Sequence, residues 1–379
     1  MKPMKIRNIA FILHRYIGLA VGLLLIFVGL TGSLLVFEDE IDELIIAHQF
    51  EKVIPQGERI SVESALNLVT AAYANRPDLQ PTSIITLPKK STYVVRMSPK
   101  EGENREVFVN PYTGAILGDR GQETSLRFKM IDLHYSLLAG KTGAIIVGIG
   151  GFLLFVLAIS GLVLWPGWRR LISGFKIKLN AHPKRALFDI HKVAGIVSAV
   201  FLTLIAFTGF CWNFEDFTKP AIYAVTFTSK LSKPVSQLVP GKSPLGIDEI
   251  LQKVDSALTD AVTSFILLPK KPEDVFSIYQ KLPQEINSYG NSAIYLDQYS
   301  GEILRIDNAL KAPLGDRILN SFYPLHYGTF GGLPTRILYV FVGLSPLILF
   351  ITGLGMYRYK YPGKNGKQQA MKIFEPSDR

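Results

Sequence analysis

Four runs of apolar residues constrain this chain more than anything else in it. They lie near 17–37, 144–165, 193–214 and 337–357, and each is close to the roughly 20 residues that a helix needs to cross a bilayer. None carries an acidic or basic residue in its middle. With a mean hydropathy of +0.24 over 379 residues, the chain is expected to be an α-helical membrane protein with four transmembrane helices. The first run is too long for the core of a removable leader, and no small-x-small site precedes "FEDEID".

The basic residues predict the orientation. They cluster at Lys2, Lys5, Arg7 and Arg15, again at Arg169, Arg170, Lys176, Lys178, Lys184 and Arg185 against the single acid Asp189, and finally at Arg358, Lys360, Lys364, Lys367 and Lys372. Positive charge stays on the cytoplasmic side, so both termini and the middle loop are expected inside. The long connections, 38–143 and 215–336, are then expected outside. The net charge of +10 flanks the spans instead of forming one basic face, so no nucleic-acid partner is expected. The one cysteine, Cys211, sits within a span and makes an intrachain disulfide impossible.

The sequence also matches itself. At an offset of 177, His14 falls on His191, Gly18 on Gly195, and "FED" (37–39) on "FED" (214–216). Further along, "LPKK" (87–90) matches "LPKK" (268–271), "YTGAIL" (112–117) matches "YSGEIL" (299–304), "LHYSLLAG" (133–140) matches "LHYGTFGG" (325–332), and "ISGLVL" (159–164) matches "ITGLGM" (351–356). Constant order with slowly drifting offsets indicates two parallel repeats, related by a pseudo-twofold axis along the membrane normal. Within each repeat the external segment reads as a small α+β unit. "SVESALNLVTAAYA" (61–74) has helical spacing, "TSIITLP", "TYVVRMS" and "REVFVN" have strand character, and "NPYTG" (110–114) is a turn.

The expected organisation is a cytoplasmic N-terminus and first span over 1–40, a first external domain over 41–125, and an outer interfacial helix with the second span over 126–168. A basic cytoplasmic loop follows over 169–190, then a third span over 191–216 and a second external domain over 217–315. An outer interfacial helix with the fourth span takes 316–358, and a cytoplasmic tail takes 359–379. The two "FED" segments are expected to mark the outer ends of spans one and three.

Four of the six histidines pair through the repeat: His14 with His191 at the cytoplasmic starts of spans one and three, and His134 with His326 before spans two and four. His48 and His182 have no counterpart and read as surface residues. A bis-histidine haem needs two imidazoles facing each other at one depth, and a twofold axis supplies that arrangement twice. Arg15 and Lys192 each follow a ligand candidate and are placed to meet haem propionates, while Gly18, Gly22 and Gly195 leave room for a macrocycle. The same residues also suit plainer roles: interfacial or inherited histidines, small residues for helix packing, and cations obeying the orientation rule. The residues alone leave both readings open.

"HRYIGLAVGLLLIFVGLTGSLLVFEDEID" and "LHYSLLAGKTG…ISGLVLW" resemble the first and second span segments of the PepSY-associated transmembrane family, and the external segments resemble PepSY domains. The family includes iron-regulated membrane proteins and inner-membrane ferric-siderophore reductases, among them one that binds haem b. The resemblance implies a reductase of the bacterial inner membrane holding two haems b, with His14, His134, His191 and His326 as iron ligands, paired as His14/His191 and His134/His326. It implies a ferric siderophore or other ferric chelate as substrate, with a cytoplasmic or quinol electron donor. No Cys-x-x-Cys-His occurs, which excludes covalent haem. "GIGGFL" (148–153) lies in a span and is no dinucleotide fingerprint. Ligands near residues 14 and 37 of one helix would stand about 35 Å apart, a long step for an electron. The competing reading is a non-enzymatic PepSY protein that regulates or binds peptides or proteases. A permease is disfavoured, because the spans lack buried charges and broken helices. No nucleophile–base pair singles out a catalytic residue.

Overall fold

A computed structural model describes residues 6–50, 52–87, 90–229 and 231–360. Lys2, Lys5, Pro88 and Lys89 of "LPKK", and the tail beyond 360 with Lys364, Lys367 and Lys372, lie outside the described residues. In chain order the elements are α1 (Ile6–Leu35), α2 (Glu38–Gln49), α3 (Val62–Ala72), β1 (Gln80–Ile85), β2 (Tyr93–Ser98), β3 (Arg105–Val109), β4 (Ile116–Gly121), α4 (Leu126–Ser136), α5 (Gly140–Leu164) and α6 (Leu171–Phe175). Then come α7 (Pro183–Asn213), α8 (Glu215–Val225), α9 (Ile247–Val254), β5 (Val262–Leu267), β6 (Val275–Lys281), β7 (Ser292–Asp297), β8 (Ile303–Asp307), α10 (Leu314–Tyr327) and α11 (Leu333–Lys360). The chain forms two compact units. One takes the described parts of Met1–Val36, Ile131–Glu215 and Leu325–Arg379; the other takes Phe37–Met130 and Asp216–Pro324.

In the first unit, four helices are long and apolar enough to cross a membrane: α1, α5, α7 and α11. They run further into polar sequence than the hydropathy runs do, because backbone hydrogen bonding carries a helix past the last apolar residue. The differences are largest at α1, which begins at Ile6, and at α7, which begins at Pro183, so the expected loop over 169–190 gives up its last residues to a helix. Pro183 suits the first helical position, where its missing N–H costs nothing, and His182 caps the end by accepting the Lys184 N–H at 3.3 Å. The remainder of that loop contains the short helix α6.

α1 packs on α5 and α11, and α7 packs on the same two, so α1 and α7 face each other across the middle. Small residues let the backbones close. Ser33 Oγ lies 2.9 Å from the Gly29 carbonyl of its own helix and 3.0 Å from the Val340 carbonyl of α11. A Cβ at Gly29 would collide with the Gly343 carbonyl oxygen. Without a hydrophobic drive between helices in lipid, this close contact supplies the packing energy. Ala158, Leu202 and Val342 form a buried cluster of α5, α7 and α11.

The second unit corrects the expectation of two separate external domains. Its strands form one antiparallel sheet in the order β4-β3-β2-β1-β5-β6-β7-β8. The join is β1 against β5, with Ser83, Ile84 and Ile85 opposite Leu267, Ile266 and Phe265. An unpaired β1 would leave a row of open N–H and C=O groups at a sheet edge; pairing it with β5 removes both inner edges at once. The two helices also share their ends: the Glu63 N–H donates to Asp248 Oδ1 at 3.0 Å, and the Asp248 N–H donates to Glu63 Oε2 at 3.2 Å. One continuous core contains Val69 of α3, Ile250 of α9, Ile84 of β1 and Ile266 of β5.

The first "FED" follows the end of α1 and opens α2, with Glu38, Asp39 and Glu40 in its first turn, where acids oppose the helix dipole. Glu38 is paired with Arg127 at 3.4 Å, and Asp39 accepts from Lys90 at 3.0 Å and from the Tyr289 hydroxyl at 2.9 Å. Burial pushes the Glu38 carboxyl above its ordinary range despite Arg127. In the second "FED", Glu215 and Asp216 open α8 and are exposed.

Candidate functional site

The site lies within the helical unit. His14 stands on the third turn of α1, and His191 stands equally far into α7. Both are thus inside their helices and not at the helix starts, where the hydropathy runs had put them. Because α1 and α7 are diagonal, the two rings meet across the bundle with centroids 6.1 Å apart and planes at 82°. His134 and His326, near the ends of α4 and α10, meet in the same way: centroids 6.2 Å apart, planes at 75°. All four rings are half-buried, while His48 and His182 are exposed.

Each ring is held at Nδ1. For His14 the partners are Ser160 Oγ at 2.9 Å and the Leu157 carbonyl at 3.1 Å. For His191 the partner is Thr352 Oγ1 at 2.9 Å, for His134 it is Thr31 Oγ1 at 3.0 Å, and for His326 it is Thr208 Oγ1 at 2.8 Å. Nε2 makes no hydrogen bond among the described residues in any of them. A glycine follows each hydroxyl residue and leaves space for the ring. A Cβ would stand 2.9 Å from His134 Cε1 if placed on Gly32, and 3.1 Å from His326 Cε1 on Gly209. The same distance is 3.3 Å from His14 Cε1 on Gly161 and 3.6 Å from His191 Cε1 on Gly353.

These seats revise the depth of the His134/His326 pair, the outer pair of the expected orientation. His134 meets Thr31 and Gly32 in the last turns of α1, not the residues near 37. From His14 to Thr31 the helix rises about 26 Å at 1.5 Å per residue, and the same interval separates His191 from Thr208. The seats are also what sequence reasoning missed. Every span contains a hydroxyl–glycine dipeptide that meets a histidine: "LTG", "ISG", "FTG" and "ITG". The internal repeat aligns "LTG" with "FTG" and "ISG" with "ITG", but alignment alone gives them no role.

A cavity of about 610 Å³ opens around the inner pair. Its walls are mostly apolar, with Leu25, Leu154, Ala158 and Leu202 among them, and Gly18, Gly22 and Gly195 also line it. The Gly22 position is shared, because the Phe350 ring occupies the space of its absent side chain. Arg7, Arg15, Lys184, Lys192 and Lys360 all line the same cavity. Lys192 is differently placed from Arg15. Its ammonium is buried and bonded to Asp189 at 2.7 Å and to the Ser173 carbonyl at 2.9 Å, and fully buried Asp189 also holds Arg185 at 3.1 Å. Arg15 stacks over Tyr16 and Phe11 at 4.5 and 5.4 Å. Beside the outer pair, the Trp212 ring lies 4.8 Å from His326.

The donor set has a clear chemical reading. Two metal–imidazole bonds of about 2.0–2.1 Å each, with the ring radii added, put the ring centres roughly 6 Å apart. Among the described residues, no three His, Cys, Asp or Glu side chains gather as a metal cluster. A zinc site takes three or four protein ligands. Two opposed imidazoles alone suit an iron whose other positions are filled by a macrocycle. The inner cavity adds apolar walls and a cationic lining, which match a flat apolar ring with carboxylates. The residues present therefore fit haem.

A family model described as PepSY-associated TM region matches residues 11–360, nearly the whole chain. No curated protein matches it closely enough to count as a relative.

Proposed function

Because the chain belongs to the PepSY-associated transmembrane family, we propose that it is a haem-b-containing reductase of a bacterial inner membrane, with both termini in the cytoplasm. The observation that carries this reading is the pair of opposed imidazoles at two levels of the bundle, 6.1 and 6.2 Å between ring centres. The reading takes the four spans as two parallel repeats related by a pseudo-twofold axis. His14 and His191 would hold the inner haem; His134 and His326 would hold the outer one. When bound, each haem iron supplies one-electron transfer at a potential set by its ligands and burial.

The chain's own residues do the rest. Arg15, Arg7, Lys184 and Lys360 meet the propionates of the inner haem, whereas Lys192 braces the helix through Asp189. The apolar cavity wall would exclude water from the space beside His14 and His191. The substrate is a ferric siderophore or another ferric chelate on the outer side. One electron takes its iron from Fe(III) to Fe(II), and the chelate releases it because hard oxygen ligands hold ferrous iron far less tightly. The electron comes from a quinol or a cytoplasmic donor.

The test is an absorbance spectrum of the purified protein, oxidised and dithionite-reduced, with haem counted per chain. The expected result is a low-spin b-type spectrum with two haems. His14→Ala and His191→Ala should each lose the same haem, and the double variant no more than either; His134→Ala and His326→Ala should lose the other. Wild-type spectra in all four variants would leave the histidines as packing residues and favour a peptide-binding or protease-regulating role.

A further inference from the structure

We infer that Thr31, Ser160, Thr208 and Thr352 are positioning residues that lock each histidine in the tautomer with hydrogen on Nδ1, and so hold Nε2 bare for a metal. The inference rests on the proposed reading only for what Nε2 binds.

The argument follows one hydrogen atom. A hydroxyl has a single hydrogen and two lone pairs. Thr31 Oγ1 lies 2.9 Å from the Phe27 carbonyl and 3.0 Å from the Val28 carbonyl, one turn back on its own helix. Thr208 Oγ1 lies 2.8 and 3.1 Å from Leu204 and Ile205, and Thr352 Oγ1 lies 2.7 and 3.1 Å from Ile348 and Leu349. Ser160 Oγ lies 3.0 Å from the Leu157 carbonyl. A carbonyl only accepts, so each hydroxyl hydrogen turns back to its helix. The oxygen then presents a lone pair to the imidazole, and the imidazole must supply the hydrogen. At His14 the Leu157 carbonyl, 3.1 Å from Nδ1, imposes the same choice independently. A neutral imidazole has one N–H. With that hydrogen on Nδ1, Nε2 is left with its lone pair.

Back-bonding alone does not account for the pattern. Ser198 and Thr203 also donate to carbonyls one turn back, at 2.8 and 2.7 Å, and neither precedes a glycine or meets a histidine. The four hydroxyls that both back-bond to their own helix and precede a glycine, Thr31, Ser160, Thr208 and Thr352, each meet a histidine, at 2.8 to 3.0 Å. An acceptor on the far nitrogen also makes a ligating imidazole more basic. That favours ferric over ferrous iron and draws the potential down.

The test uses the full-length haem-loaded protein and the variants Thr31→Val and Thr208→Val for the outer site, with Ser160→Ala and Thr352→Val for the inner. Valine keeps the shape of threonine and removes the acceptor. Each valine variant should release one haem to an apo-haem acceptor protein about 10–100-fold more readily, and Ser160→Ala should do so less, because the Leu157 carbonyl still accepts from His14 Nδ1. Each variant should also raise the midpoint potential of its own haem while leaving the other unmoved; a tenfold change in the ferric preference reads as about 59 mV for one electron. Thr31→Ser should restore both values. Valine variants whose retention and potentials equal the parent's, or which shift both haems alike, overturn the inference. A parent that takes up no haem sinks the reductase reading instead. In that case nitrogen-15 spectra of the labelled imidazoles decide the inference separately: hydrogen on Nδ1 in all four supports it, and hydrogen on Nε2 or a mixture overturns it.

Discussion

Replacing the seat glycines by alanine, one at a time, should damage the protein in an order set by four distances. The added methyl group would stand 2.9 Å from the facing Cε1 at Gly32, 3.1 Å at Gly209, 3.3 Å at Gly161 and 3.6 Å at Gly353. Carbon atoms pack best at about 3.5–4.0 Å. His134 must therefore withdraw by about 0.6–1.1 Å in Gly32→Ala, His326 by about 0.4–0.9 Å, and His14 by about 0.2–0.7 Å, while His191 need not move. A site of this kind tolerates about 0.5 Å. Overpacking costs about 1–3 kcal/mol, against a gain of about 1 kcal/mol when alanine replaces glycine within a helix. Gly353→Ala should thus be neutral or slightly stabilising. Gly32→Ala should lose about 0–2 kcal/mol net and deplete the outer haem while sparing the inner one. Thermal unfolding in detergent and the haem count per site measure both effects. An inverted order, with Gly353→Ala worse than Gly32→Ala, would refute the claim that these glycines exist to seat the rings.

Two further expectations follow from the charged groups. Lys192→Met should destabilise the helical unit by about 3–5 kcal/mol, because it strips the nearest partner from a buried carboxylate, whereas Lys192→Met with Asp189→Leu should recover most of that loss; thermal midpoints of the three proteins decide it. Asp297 is pushed up by burial but more than offset by the N–H groups of Gln237, Ser300 and Tyr299, so its carboxyl lies below the usual range. Its contribution is complete above about pH 4 and is lost as pH falls through the lowered folded value. Asp297→Asn should start about 1–3 kcal/mol less stable at neutral pH and fall less steeply in acid, as followed by denaturant unfolding of the sheet unit across pH 2–7.

The sequence by itself determined what depends on neighbours along the chain. Hydropathy is a local quantity, so the four spans were legible, as were β1, β2 and β3 and the helix over 61–74, where the Ser61 side chain accepts the Ser64 N–H at 3.1 Å. The four histidines stood out because they recur in matched contexts. Tertiary structure decided everything that depends on contact between distant residues. The 6.1 and 6.2 Å separations require α1 to lie diagonal to α7, a choice among helix arrangements that hydropathy does not rank. The hydroxyl–glycine seats were printed in the sequence, but "TG" is ordinary in membrane helices, and only a ring arriving from another helix gives it meaning. Lys192 read as a cation for a haem propionate or as one obeying the orientation rule; the structure buries it against Asp189, one turn away. The join of β1 to β5 was invisible for the same reason. A strand's alternation says which face is buried, and says nothing about which edge, 177 or more residues away, it will pair with; hydrogen bonding of open edges made that choice.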